Sequence, residues 1–362
     1  MIESKPLILG AQLRKARELL KLSVEEAAAE VQATEQEMQA WEEGQSKPSL
    51  AKLETLAKIY GREIDYFLKE TPDPPTDIRF RGKPGKALRS LSSNARNVLA
   101  RFEELCRTEA ELEDLLQKRR EIRLRVFEPG QHPRSAARQL REQFSLGEKP
   151  VPGLRNLLQD AGARVFEMPV PGDEISGFSF WHGDYGPCIL VNAGDVKGRK
   201  NFTLAHELAH LLLGHGSSVC YIPPQVSRPE GGTEHTANQF AVEVLLPATG
   251  VNRDFTERNL SNTPSQKELA LMANKWGVSV QALGYRLETL QLVVAGLTDS
   301  ITEPKPYFRG SKTPIWKKRL GKHFVDTSFE AYKKQLISLS KLAHALQIPI
   351  RKAMELVESE AQ

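Results

Sequence analysis

Apolar residues recur every three or four positions through most of the first 70 residues. Leu13, Ala16, Leu19 and Leu20 make one face of a first helix. Ser23 followed by Glu26 is a capping box that opens a second helix through Ala27 and Ala28 to Val31, and Thr34 followed by Glu37 opens a third that ends near Trp41. Gly44 and Pro48 break the chain before Leu50, Leu53, Leu56, Ala57 and Tyr60 stripe a fourth. Two short helices around a tight turn at Gln32 and Ala33 predict a helix-turn-helix. Residues 71–86 lose all periodicity and read as a Pro- and Gly-rich linker. Leu88, Leu91, Leu99, Phe102, Leu105, Leu112, Leu115 and Leu116 then lie among dense mixed charge. They predict one or two exposed amphipathic helices, acting as a spacer or as the contact between two copies in a homo-oligomer. Pro129, Gly130 and Pro133 mark the next boundary.

From about residue 150 the period changes. Leu154–Ala161 suits a helix, and Arg164–Met168, Ile175–Trp181 and Cys188–Val191 suit short strands between Gly, Pro and Asp turns. Phe202–Leu213 and Glu234–Leu246 read as helices, the second stopped by Pro247, and two more flank Trp276-Gly277-Val278-Ser279. The stretch from 301 opens with PKPYFRGSKTPIWKKRLGKH and turns helical from about 328. This predicts a multidomain protein, with an all-α helix-turn-helix domain over 1–70 and a linker with a helical spacer over 71–145. An α+β domain over 146–300 and a basic helical C-terminal region over 301–362 complete it.

Composition adds constraints. The 362 residues carry a net charge of +4, and mean hydropathy is −0.42. No apolar run approaches the roughly 18–20 residues that span a bilayer, and MIESKPLILG lacks the apolar core of a signal peptide. Cys106, Cys188 and Cys220 lie too far apart in sequence for a disulfide framework or a CxxC metal site. These features predict a cytoplasmic protein without a membrane partner. Charge is uneven: residues 1–70 hold ten Lys/Arg against thirteen Asp/Glu, whereas 301–352 hold twelve against three.

The sharpest chemical signal is His206-Glu207-Leu208-Ala209-His210 inside the apolar run TLAHELAHLLLGH. On a helix, positions i and i+4 share a face, so both imidazoles can meet one ion. Glu207 points aside, towards a water on that ion. A hydrolytic zinc site needs three protein ligands and that water, whose proton the carboxylate accepts. Chance alone would produce this pentapeptide on the order of 0.02 times in such a chain. Three residues compete for the remaining ligand position: Glu234, His235 and Glu243. His235 faces about 100° away from Glu234 on the same helix, and Glu243 lies on Glu234's side but over ~13 Å along the axis. His215 suits a helix-end cap beside Gly214, an oxyanion contact or a ligand-orienting role, and Tyr221 suits an oxyanion donor or an ordinary loop position. The strand Cys188–Asn192 is a candidate for pairing with an extended substrate.

TLAHELAHLLLGH, followed by E-x-x-A-N-x-F-A-x-E-x-L-L-P from Glu234 to Pro247, resembles the ImmA/IrrE family of zinc metallopeptidases. The likeness runs back to the strand-rich Val151–Asn192 and forward to WGVSVQALGYRLETL, about 140 residues in all. It implies a zincin-like metallopeptidase domain with the metal held by His206, His210 and Glu234, and Glu207 as general base. It also implies a protein substrate, a helix-turn-helix repressor whose cleavage releases stress, mobile-element or defence genes. Zinc is the expected ion, and manganese suits the same two histidines and carboxylate. A non-enzymatic regulator using this fold to sense a partner or ligand, and a toxin–antitoxin component, are the competing readings.

Residues 12–60 also resemble an XRE/Cro-type helix-turn-helix, with WEEGQSKPS after the third helix. In that family the third helix enters the major groove. Gln36 and Gln39 suit adenine edges, and Arg14, Lys15, Arg17 and Lys47 suit phosphates. The module is nevertheless net acidic, and DNA affinity rests on neutralising phosphates. DNA binding and docking of a protein both remain open for it. In the tail, Tyr307, Phe308, Trp316 and Phe324 interleave with Arg309, Lys317, Lys318, Arg319 and Lys322. That pattern suits single-stranded nucleic acid, or a solvated basic face whose rings fill a small core. The basic Arg79–Arg89 stretch reads as a phosphate-tracking or merely soluble linker.

Overall fold

A computed structural model describes residues 4–20, 22–60, 62, 64–68, 92–170, 175–215, 218–220, 232–301 and 314–360. The linker at 71–86, Tyr221, Tyr307 and Phe308 lie outside these residues. Five helices open the chain: α1 (Ser4–Leu19), α2 (Val24–Glu30), α3 (Glu35–Glu42), α4 (Leu50–Tyr60) and α5 (Ile64–Leu68). Both capping boxes form, with Ser23 and Thr34 accepting from the amides of Glu26 and Glu37 while those carboxylates accept in return. Gln32 takes a φ of 51°, the left-handed turn between α2 and α3. Leu13, Ala16, Ala27, Met38, Leu56, Tyr60 and Phe67 fill the core of this unit. Arg17 grips Glu42 with two bonds of 2.6 and 2.9 Å, so its guanidinium is committed inside the module instead of to phosphates.

The segment expected as an exposed spacer is instead a central structural element. Helix α6 (Ser93–Leu115) buries Leu99, Phe102, Leu105, Cys106 and Leu112. Phe102 meets the rings of Phe166, Phe178 and Phe180 at 5.6–6.3 Å. Its charged residues are largely paired in the interior, which is why dense charge here does not mark a solvated face. Arg164 bonds Glu109 and Glu113 at 2.9–3.1 Å, and Arg120 and His323 add to the same cluster. The other side of α6 receives the helix-turn-helix unit. Arg62 donates to the Ala100 carbonyl and pairs with buried Glu103, with the Tyr66 ring 4.9 Å from its guanidinium.

Helices α7 (Pro133–Gln143) and α8 (Leu154–Asp160) lead into strands β1 (Arg164–Met168), β2 (Gly177–His182) and β3 (Gly186–Asn192). Helix α9 (Lys197–Leu212), strand β4 (Ser218–Cys220) and helices α10 (Thr233–Leu245), α11 (Ala248–Glu257), α12 (Gln266–Trp276) and α13 (Val280–Thr289) follow. The sheet order is β1-β3-β2-β4, with β1 parallel to β3 and the other pairs antiparallel. Strand β3 is therefore paired along both edges, and the expectation that Cys188–Asn192 receives a substrate strand is wrong: no ladder groups are left for it. Alternation sorts the strands cleanly. Val165, Ile189 and Val191 face a helical core with Leu204, Leu208, Ala237, Phe240 and Trp276. Phe166, Phe178, Phe180, Cys188 and Leu190 face α6 and the C-terminal helices.

Those are α14 (Ile315–Leu320), α15 (Lys322–Lys333), α16 (Leu339–Ala345) and α17 (Ile350–Glu360). Leu320, Phe324 and Val325 are buried, and Phe324 meets Phe166 edge-on at 5.3 Å. Phe324 is a core ring, withdrawn from the base-stacking role considered for it. The C-terminal region thus completes the second face of the sheet. No described helix is long and apolar enough to cross a membrane.

Candidate metal centre

Helix α9 is buried on every side from Thr203 to Leu212, sandwiched between the sheet and other helices, and its apolar positions line that core. Its position against β2 depends on small residues in that strand. Gly177 and Ser179 point at α9, and a Cβ on Gly177 would stand 2.5 Å from Thr203 Cγ2 and 2.8 Å from Glu207 Oε1. Ser179 Oγ donates to Glu207 Oε2 at 2.6 Å, fixing the carboxylate in a fully buried setting.

His206 and His210 project together from the other flank of α9 towards the first turn of α10. His206 Nε2 and His210 Nε2 lie 3.0 Å apart, and each lies 3.4 Å from one oxygen of Glu234. Donor atoms tetrahedrally arranged about 2 Å from a zinc ion stand ~3.3 Å from one another, so these three side chains fit a small divalent cation. The outward nitrogens are also held. His206 Nδ1 lies 2.8 Å from Asn238 Oδ1, one turn beyond Glu234 on α10, and His210 Nδ1 lies 3.2 Å from His215 Nδ1. Partners of this kind orient metal-binding imidazoles and set their tautomers. Burial, reinforced by the charge on His206, pushes the His210 pKa down to about 3 and keeps that ring neutral. For His206, burial opposes protonation, but Glu234, Glu207 and Asn238 outweigh it and raise the pKa.

The two rivals of Glu234 lie elsewhere. Glu243 bonds Arg286 at 2.7 Å near the far end of α10, where Arg286 also donates to the Leu246 carbonyl. His235 Nε2 contacts Gln239 Nε2 at 2.7 Å. Glu109, Glu113 and His323 form a further group of metal-compatible atoms, yet Arg164 and Arg120 already neutralise it. Sequence reasoning missed Ser179, Gly177 and Asn238. The signals were the small residues alternating in β2 and an amide four positions after Glu234.

A family model described as the IrrE N-terminal-like domain, of a metallopeptidase family, matches residues 158–288. A second, described as helix-turn-helix and of a DNA-binding type, matches residues 13–67. No curated protein matches the chain. The first match spans the sheet, α9 and α10, and the second spans α2 and α3 with their flanking helices, so the chain carries an IrrE N-terminal-like domain behind a helix-turn-helix domain, the arrangement of an ImmA/IrrE protein with an N-terminal helix-turn-helix.

Proposed function

We propose that this protein is a cytoplasmic, zinc-dependent endopeptidase that regulates transcription in a stress or defence response by cleaving a specific protein, a helix-turn-helix repressor or antitoxin. The observation that carries the reading is the convergence of His206, His210 and Glu234, whose ligand atoms all lie within 4.8 Å of one another, beside the buried Glu207. His206 and His210 would bind through Nε2 and Glu234 through its carboxylate. A zinc ion held there supplies a Lewis acid for the scissile carbonyl and lowers the pKa of water. Glu207 accepts the proton of the attacking water and returns it to the leaving amine. Ser179 keeps the Glu207 carboxylate turned towards the site during both transfers.

Elemental analysis of the purified protein beside a Glu234→Ala variant tests this. About one zinc per chain, lost or much weakened in the variant, supports the three-ligand site. A wild-type chain that takes up no metal when zinc is supplied would overturn it.

A specific feature favours a second role for the helix-turn-helix domain. Residues 22–46, which contain α2 and α3, hold no Lys or Arg, and Glu25, Glu26, Glu30, Glu35, Glu37 and Glu43 are exposed. A face so acidic repels phosphates and suits a basic protein surface. Fluorescence anisotropy with duplex DNA from the protein's own upstream region separates the roles. Saturable binding at physiological salt assigns the domain to DNA, and absence of binding favours protein docking.

A further inference from the structure

The last turn of α9 ends in a way that bears on the metal site. Gly214 adopts a φ of 69°, the left-handed conformation that reverses the chain at a helix end. The His215 amide then donates back to the His210 carbonyl at 3.0 Å. This six-to-one closure folds the His215 ring over the ring of His210, with centroids 5.2 Å apart and planes at 69°. The two Nδ1 atoms come within 3.2 Å.

Two imidazole nitrogens at that distance need one N–H and one lone pair between them. A neutral His210 that offers the Nε2 lone pair to a cation carries its proton on Nδ1. His215 must then accept at Nδ1 and carry its own proton on Nε2. The tautomers of the two rings are set in series.

We infer that His215 is a positioning residue for the metal site, accepting the Nδ1–H of His210 and thereby fixing the ring and tautomer that present His210 Nε2 to the ion. The inference rests on the metal-site reading above. Its backbone role is separate, because the amide-to-carbonyl closure survives any side-chain replacement. Asn238 does the same for His206, but from α10, so each ligand histidine has its own acceptor on a different element. The spacing His210-x-x-x-Gly214-His215 is what makes the arrangement local: a residue other than glycine at 214 strains the reversal that returns His215 to the site.

The test compares wild type with His215→Ala, His215→Phe and His215→Asn. Phe keeps the ring without an acceptor, and Asn puts Oδ1 near the position of Nδ1. Zinc affinity is measured by competition with a chromophoric chelator, and the cobalt-substituted proteins are read by their visible absorption bands. Thermal midpoints of the metal-stripped proteins report folding. Loss of such an outer partner costs roughly 10–100-fold in metal affinity. The expected result is that loss in both the Ala and Phe variants, with an altered cobalt spectrum and an unchanged metal-free midpoint, and recovery of affinity and spectrum in the Asn variant. Wild-type affinity and spectrum in the Ala and Phe variants would overturn the positioning role while leaving the metal site standing. A wild-type chain that binds no zinc would overturn both.

Discussion

Gly177 on β2 and Glu207 on α9 meet where no side chain fits between them: a Cβ at 177 would stand 2.8 Å from Glu207 Oε1 and 2.9 Å from Glu207 Cγ. The strand can approach the helix closely enough for Ser179 to reach the carboxylate only because position 177 is bare. Gly177→Ala should therefore act on Glu207 first. Overpacking of this kind costs about 1–3 kcal/mol, read as a thermal midpoint a few degrees lower. Displacing a catalytic carboxylate by an ångström costs on the order of 100-fold in rate. Cleavage assayed beside zinc content should show activity lost and metal retained. A variant as active as wild type would mean that the carboxylate tolerates displacement.

Glu207→Gln keeps the shape and the Ser179 contact but removes the carboxylate proposed to accept the proton. Cleavage should vanish while about one zinc per chain remains. The matched measurements are proteolysis of a candidate repressor and elemental analysis on the same preparation, and persistent proteolysis would exclude Glu207 as the base.

Stripping the metal should destabilise the peptidase unit, since a ligand bound only by the folded state adds stability through mass action. Zinc restored at 100 times its dissociation constant should raise stability by about 2.7 kcal/mol. Differential scanning fluorimetry against zinc concentration reads this as a rising midpoint, which His206→Ala and His210→Ala should flatten.

Acid should loosen α6. Burial pushes the Glu104 carboxyl up, but the His344 imidazole 3.7 Å away and the charges of Arg62 and Arg107 outweigh it and hold the pKa at about 2. Glu113 is likewise held low against its burial by His323 and Arg164. Unfolded glutamates titrate near 4.3, so the unfolded chain binds more protons in between and stability rises with pH there. Full stability is expected above about pH 5, with progressive loss as the pH falls towards 2. Urea midpoints at pH 6 and pH 3 measure the loss, and Glu104→Gln should make it smaller.

Arg62→Ala should separate the two modules. It leaves the buried Glu103 carboxylate short of its guanidinium, a change that typically costs about 3–5 kcal/mol. Calorimetry should then resolve an early transition for the helix-turn-helix unit. A single transition at the wild-type midpoint would show that apolar contacts alone hold the docking.

Much of this was legible in the chain. The capping boxes at Ser23 and Thr34, the strand Arg164–Met168 and the helices flanking Trp276–Ser279 lie where the pattern puts them, because local hydrogen bonds and strict periodicity decide them. His206, Glu207 and His210 were legible because a helix alone brings i and i+4 together. Helix α9 begins at Lys197, five residues before Phe202, since its polar first turn carries no apolar signal. The burial of α6 was hidden for a different reason. Glu103, Glu109 and Glu113 are buried only because Arg62, Arg120 and Arg164 arrive from distant segments, and charge read along one strip of sequence looks solvated. Ser179 lies in no motif and Asn238 lies in one without a stated role, because the meaning of each depends on which face of β2 and α10 meets α9.

The aromatic face of the sheet has a consequence for how this chain can be divided. Phe166, Phe178 and Phe180 are covered by Phe102 from the N-terminal side of the peptidase segment and, at Phe166, by Phe324 from its C-terminal side. A fragment starting near residue 140 would keep every proposed metal ligand and still present that face to water, where it would aggregate or capture a foreign helix. A chimaera that exchanges the helix-turn-helix for another domain must therefore keep α6 with the segment that contains the sheet. A division of this chain that leaves the aromatic face covered keeps α6 and the C-terminal helices with the sheet.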